Sequence, residues 1–387
     1  MRRDWSSVAV LLALVAALCL AGCASEEPTG GDGDGLTAEE LVAQANGLVE
    51  QDDYAGANAL YKQAISLDPQ NLDAQFGAGV TEALVMYEDP ELAEAIQAWI
   101  ELFEFESVPP PSPGLLGDAT LSPSTLVFFG GVLRMTSGAI QQPPPMSEMQ
   151  ELLRDNVLPV FAYVMARFQV LEANPSFQFI LTPGMTGEPE NIEVDLGDIY
   201  LAHAGLEAAR AAIYFLISYD FDVDDYENPS WETLLGTGSS FLTLYPEGWS
   251  YLTAARDDLL SAVVHAEDGL DAILAETDDQ SDDLTTVSDP NDPNLELARE
   301  LLDDLEATLN SPIDVEIPWE QPGEPTVSVY LGQLFLNPIQ DWKEKLPDYH
   351  FEEGMPILDE PITFSDPTFN GILPGMTNER LREIFGL

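Results

Sequence analysis

AEELVAQANGLVEQDDYAGANALYKQAISLDPQN, residues 38–71, is the stretch on which the reading of the chain turns. Leu41, Ala45 and Leu48 recur at spacings of three and four, and after Asp52-Asp53 the same period returns in Tyr54, Ala57, Tyr61 and Ala64. That period is the mark of a helix with one buried face. The alanines at 45, 57 and 64 let two helices approach closely, the tyrosines fill the gap, and Pro69 ends the second helix because its ring cannot continue the hydrogen-bond ladder. The stretch therefore reads as a helix-turn-helix unit.

Its length of 34 residues and its alternation of small and large positions resemble a tetratricopeptide repeat. A second, degenerate copy starts at Leu72, with Gly79 at a small position; Tyr87-Glu88-Asp89-Pro90 alters its turn before Ala93 and Ala95 resume the pattern. The resemblance implies a concave groove lined by Val42, Asn46 and Val49 from the first copy and by Phe76 and Val80 from the second. It implies a protein ligand, Asn46 being placed to hold a peptide backbone. The lysines that clamp acidic peptide termini are missing, since Val42 and Asp73 stand at two such places, so the ligand expected is apolar or basic. The competing reading is architectural, with the same side chains spent on packing.

Ahead of the repeats, Arg2-Arg3 and the apolar run from Val8 to Leu20 form the charged start and apolar core of a secretory signal peptide. The run is about 13 residues, short of the roughly 20 needed to span a bilayer. Leu20-Ala21-Gly22-Cys23 resembles the lipobox of bacterial lipoproteins, which implies cleavage before Cys23, acylation of its thiol and stable anchoring by more than one chain. Residues 1–22 are then a signal peptide and residues 23–37, rich in Gly and Asp, a flexible tether. The address expected is the bacterial envelope, at the periplasmic face of the outer membrane.

Cys19 and Cys23 are the only cysteines, so the mature chain has no disulfide, thiol nucleophile or thiolate metal site to offer. Thirteen basic residues against 69 acidic ones give a net charge of −56, and the only lysines are Lys62, Lys343 and Lys345. Such a surface repels nucleic acid. The acids recur on nearly every helical segment, which fits a solvation device better than one local cation site.

Beyond residues 38–106, Pro109-Pro110-Pro111-Ser112-Pro113 marks a linker over residues 107–121. Residues 122–312 then read as a helical domain. Leu153, Val157, Val160, Val164, Phe168 and Leu171 make one apolar stripe; Leu252, Leu259, Val263, Ala266, Leu270 and Ile273 make another. Ile199 to Tyr219 is apolar nearly all round, yet His203, Glu207 and Arg210 argue for a buried helix and against a membrane span. Residues 313–387 read as an irregular tail rich in proline and aromatic residues, with one strand candidate at Thr326 to Leu336 and a last helix from Asn378 to Phe385. Thr377 is placed to cap that helix. The fold class expected is all-α, with repeat-like hairpins on a larger helical domain.

Candidate chemistry is thin. Asp220, Asp222 and Asp224 alternate after a helix as the first half of a calcium loop does, but Asp225 stands where glycine is wanted and Trp231 where the closing Glu belongs. An acidic, solvated helix end is the other reading of that segment. His203 with Glu207, and His265 with Glu267, match no two-histidine metal motif. No catalytic residue is assigned, and calcium is the one cofactor for which ligands are offered. The role expected is a non-enzymatic scaffold or adaptor binding envelope proteins. The alternatives are a solute-binding accessory lipoprotein, which requires an enclosed pocket in the helical domain, and a calcium-binding envelope protein.

Overall fold

The computed structural model describes residues 35–90, 92, 145–222, 230–236, 238–277, 282–285, 287, 293–315 and 326–385. The signal segment, Cys23, most of the tether, the linker and Asp224 lie outside them. Helix dominates, and to the all-α expectation the structure adds three two-stranded antiparallel pairs. No described helix is long and apolar enough to cross a membrane.

The described residues fall into two compact units: those within 35–92, 154–210 and 258–303 in one, those within 145–153, 211–257 and 304–385 in the other. The sequence reading lays its segments end to end. The units instead interleave along the chain, and each is assembled from distant stretches.

In the first unit three helices start on side-chain caps. Thr37 opens α1 (Ala38–Val49) with a reciprocal box: its hydroxyl accepts from Glu40 N at 3.2 Å, and its own N–H donates to the Glu40 carboxylate at 2.9 Å. Asp53 caps α2 (Tyr54–Leu67) and Asn71 caps α3 (Leu72–Tyr87), each accepting from the backbone N–H three residues on. Ala45, Ala57, Ala64, Ala74 and Ala78 are fully buried between these helices, which is how they come so close. Tyr61 lies directly over Gly77, where any Cβ would collide with its ring. Asn58 spans the same interface, donating to Ala78 O at 3.1 Å and to the Thr81 hydroxyl at 3.0 Å, so its burial leaves no amide hydrogen stranded.

Against α3 packs α5 (Leu158–Glu172), the helix of the first predicted stripe. Val164, Phe168 and Leu171 meet Phe76, and Phe177, Phe179, Val194 and Ile199 complete that core. Phe179 and Val194 come from a hairpin, β1 (Gln178–Leu181) with β2 (Ile192–Asp195), joined through the short helix α6 (Pro183–Thr186). The unit is completed by residues 196–210 of α7 (Leu196–Leu216), residues 258–275 of α9 (Gly248–Ala275) and the first part of α10 (Pro293–Asn310).

The second unit takes α4 (Met146–Leu152), the end of α7, α8 (Trp231–Leu235), the start of α9, the end of α10 and the whole described tail. Its helix ends are closed by long polar side chains. Gln150 donates to Leu216 O at 2.6 Å and to Tyr219 O at 2.7 Å; Arg256 donates to Leu309 O at 3.1 and 3.2 Å. The Leu216 and Leu309 carbonyls lie in the last turns of α7 and α10, where the helix itself offers them no donor. The strand expected over Thr326 to Leu336 is only part strand: β4 (Val327–Val329) pairs with β3 (Ile313–Val315), then Gly332 turns the chain into α11 (Gly332–Leu336). A 3₁₀ turn, Trp342–Lys345, leads to the hairpin of β5 (Tyr349–Glu352) and β6 (Met355–Leu358), whose Glu353-Gly354 turn has positive φ at both residues. The last helix, α12 (Asn378–Phe385), begins where Thr377 accepts from Arg380 N at 3.2 Å.

Candidate functional site

The positions implied by the repeat resemblance face inward. Val42 is buried among the hairpin alanines and Val49 packs at the edge of the same cluster. Asn46 accepts a hydrogen bond from the Tyr61 hydroxyl at 2.5 Å, which engages its carbonyl oxygen. Phe76 is only 6% exposed, its ring 4.6 Å from that of Phe179 and 5.8 Å from that of Phe177, and Val80 packs beside it. An open groove at Phe76 and Val80 is therefore corrected to an interior contact. The physical reason is that α5 and the β1–β2 hairpin bury these apolar side chains more fully than water-facing exposure would allow.

The second unit holds a partly open pocket. Its volume is about 360 Å³, and half-buried side chains line it: Phe215, Phe221, Leu242, Trp342, Lys345, Leu346 and Phe369. Each wall is fixed by its own backbone. Leu242 sits at φ 61°, a conformation few branched residues adopt; its N–H donates to Asp220 O at 2.5 Å and its carbonyl accepts from Trp342 N at 3.1 Å. Those two bonds hold an apolar side chain over the space at the expense of local strain. Tyr219, fully buried, meets Trp342 edge-on at 6.1 Å.

Phe369 is placed by a knot around Asp366. The residues Phe369, Asn370 and Gly371 all have positive φ, at 49°, 57° and 85°. Asp366 pays for this turn with hydrogen bonds: it accepts from Thr368 N at 3.0 Å, the Thr368 hydroxyl at 2.6 Å, Asn370 N at 2.8 Å and Lys345 Nζ at 2.8 Å. Burial alone would raise the Asp366 pKa, but the Lys345 ammonium and the other three donors hold it well below the usual carboxylate range. Lys343 likewise donates to Phe241 O and pairs with Asp341 at 2.9 Å. Two of the three lysines in this acidic chain are thus spent on tying the cavity walls.

The first unit holds ionisable groups instead. His203 on α7 and His265 on α9 stack, ring centroids 4.1 Å apart and planes 17° apart, and a carboxylate stands at each edge of the pair. Glu172, the last residue of α5, lies 2.6 Å from His203 Nδ1 and 3.9 Å from His265 Nε2. Glu207 lies 2.7 Å from His265 Nδ1 and 3.7 Å from His203 Nε2. His203 is fully buried and its Nε2 has no hydrogen-bond partner. The hydrogen bond to Glu207 raises the His265 pKa; burial opposes it, and the charges of Glu207, Glu172 and Asp268 add to the rise. Phe168 and Tyr200 close the cluster, each 6.1 Å from a ring.

A second group is carboxylate only. Asp198 is 6% exposed, and burial raises its pKa to about 7. Hydrogen bonds from the Thr285 side chain and from Asp195 N pull it down, while the charges of Asp195 and Asp283 push it up. Glu193, Asp195, Glu276, Asp282 and Asp283 gather nearby.

Of the three residues read as a calcium loop, two are described. Asp220 accepts from Asp222 N at 2.9 Å and hydrogen-bonds the Tyr245 side chain, and Asp222 accepts from Ser147 N, in the first turn of α4, at 3.0 Å. The sequence did not show Glu172 as a partner of the histidines, being 31 residues before His203. The i, i+4 spacing of His203 and Glu207 was the one visible sign. Comparison of the chain with protein-family models, with curated proteins and with solved structures finds no match in any of the three.

Proposed function

We propose that this chain is a lipid-anchored, non-enzymatic envelope protein that binds a small, largely apolar solute in its second unit. The aromatic cavity carries the reading: a volume of about 360 Å³ falls in the range of small-molecule sites. Four aromatic rings and two leucines offer stacking and dispersion contacts, and the one charged wall residue, Lys345, is already paired with Asp366. With a net charge of −56 around it, the site favours a neutral or cationic solute over an anionic one. Cys23 supplies the membrane anchor in this reading, and the repeat-like hairpins serve as architecture. The adaptor role expected from the groove loses support because Val42, Phe76 and Val80 are occupied by packing.

The test is a titration of the purified protein with N-phenyl-1-naphthylamine, a neutral aromatic probe that fluoresces in apolar surroundings. Saturable binding of one probe per chain is expected, weakened at least tenfold by Leu346→Trp, which fills the cavity, with the far-UV circular dichroism unchanged. Binding that Leu346→Trp leaves intact, or no saturable binding, overturns the assignment.

A further inference from the structure

We propose that His203, His265 and Glu172 form a site for one divalent transition-metal ion of the zinc type, with Glu207 as the carboxylate that orients both imidazoles. The candidate ligand atoms of the first three residues lie within 4.8 Å of one another. They come from three different helices, α5, α7 and α9, so the site is made by packing and not by a local loop.

Three observations carry the assignment. The first is the pattern of distances. The 3.9 Å separation of Glu172 from His265 Nε2 is too long for a hydrogen bond. It approaches the spacing of two ligands on one ion, roughly 3–3.5 Å when each bond is about 2.1 Å. The 2.6 Å contact of His203 Nδ1 with Glu172 needs to open by about 0.5 Å to reach the same spacing, and the stacked rings to splay so that both lone pairs meet the ion. The second is the orphaned nitrogen. His203 Nε2 is fully buried without a hydrogen-bond partner, an arrangement that costs free energy unless something compensates it. With Nδ1 on the ion, Nε2 carries the proton, and Glu207 Oε1, now 3.7 Å away, becomes its acceptor on a closure of about 0.7 Å, as metal-bound imidazoles use their second nitrogen. The third is charge. Glu172 and Glu207 are 11% and 6% exposed at the side chain, so two carboxylates stand largely out of water on either side of the imidazole pair. A dication is a charge partner for such a pair. Imidazole nitrogen as a ligand selects a transition metal over calcium, which takes oxygen.

The experiment uses the full chain in detergent, with Cys19→Ser and Cys23→Ser removing the thiols, stripped of metal and titrated with Zn²⁺ against a chromogenic chelator in a large excess of Ca²⁺. The excess saturates the acidic surface. One Zn²⁺ per chain with submicromolar affinity is expected, weakened at least tenfold by His203→Gln and by His265→Gln. Substitution with Co²⁺ gives visible ligand-field bands that the same variants abolish. His265 is the more exposed of the two imidazoles, so His265→Gln decides the matter if His203→Gln fails to fold. Zn²⁺ binding that is weaker than micromolar, displaced by Ca²⁺ or unchanged in His265→Gln overturns the proposal, and so does a Co²⁺ spectrum indifferent to that variant. Probe binding in the second unit is independent of this outcome.

Discussion

The two units solve opposite problems with the same acidic composition. The first buries ionisable groups and balances them against one another: His203 and His265 between Glu172 and Glu207, and Arg210 in a two-pronged pair with Asp258 at 2.6 and 2.7 Å. The second gathers half-buried aromatic rings around a partly open pocket and keeps its ion pairs at the edge of that space, where Lys345 meets Asp366 and Lys343 meets Asp341. A buried charge is tolerated only when its partner arrives with it. The first unit brings its partners from separate helices. The second brings them from neighbouring loops, which leaves its interior free for apolar contact.

The strongest way to break this contrast is Phe76→Ala. Removing a ring packed against Phe177 and Phe179 destabilises the first unit by about 3–5 kcal/mol. Denaturant unfolding is expected to show an early transition by circular dichroism, while the second unit still binds the naphthylamine probe below its own transition. Loss of probe binding in step with the first transition shows that the two units do not unfold separately.

Asp198→Asn sharpens the account of buried charge. Because burial raises the Asp198 pKa from 3.8 to about 7, the native state holds that proton more tightly than the unfolded chain does. Native stability from this group is fully present below about pH 4, declines as the pH rises toward 7 and is gone above it. The amide keeps an acceptor for Asp195 N–H without the charge. The variant should match the parent near pH 4 and exceed it by at most about 4 kcal/mol at pH 8, read from denaturation midpoints at both values. An equal stability difference at the two pH values removes the burial argument.

Lys345→Met is the smallest of the three. It leaves Asp366 with three of its four donors, so the loop survives and the expected cost is about 1.5–3 kcal/mol, the value of a hydrogen bond to a charged group. Probe affinity should fall with it, because Phe369 is held through Asp366. A variant that loses stability but keeps its probe affinity separates the knot from the cavity.

Much of the helical framework was legible in the residues. The period of Leu41 to Ala64 announced α1 and α2, the stripes around Phe168 and Val263 announced α5 and α9, and Thr377 announced the start of α12. Helix period and capping are local properties, readable within a few residues. The hairpin β1–β2 was not legible, since Gln178–Leu181 and Ile192–Asp195 are four residues each and bring their pairing from one another. Phe76 admits both a groove and a packing role in the sequence, because an amphipathic stripe records that a face is covered, not by what; its burial against Phe177 and Phe179 fits the packing role.

The sequence by itself determined the helical period of α1, α2, α5 and α9, that the charge is overwhelmingly negative, and that no disulfide is available to the mature chain expected from the lipobox. Tertiary structure alone decided that Glu172, His203, Glu207 and His265 meet, and that Phe215, Phe221, Leu242, Trp342, Leu346 and Phe369 line one pocket. The first set depends on neighbours along the chain. The second depends on side chains carried by separate helices and loops, Phe215 and Phe369 standing more than 150 positions apart, whose meeting is fixed by which apolar faces bury one another; the i, i+4 pair of His203 and Glu207 is its one trace in spacing.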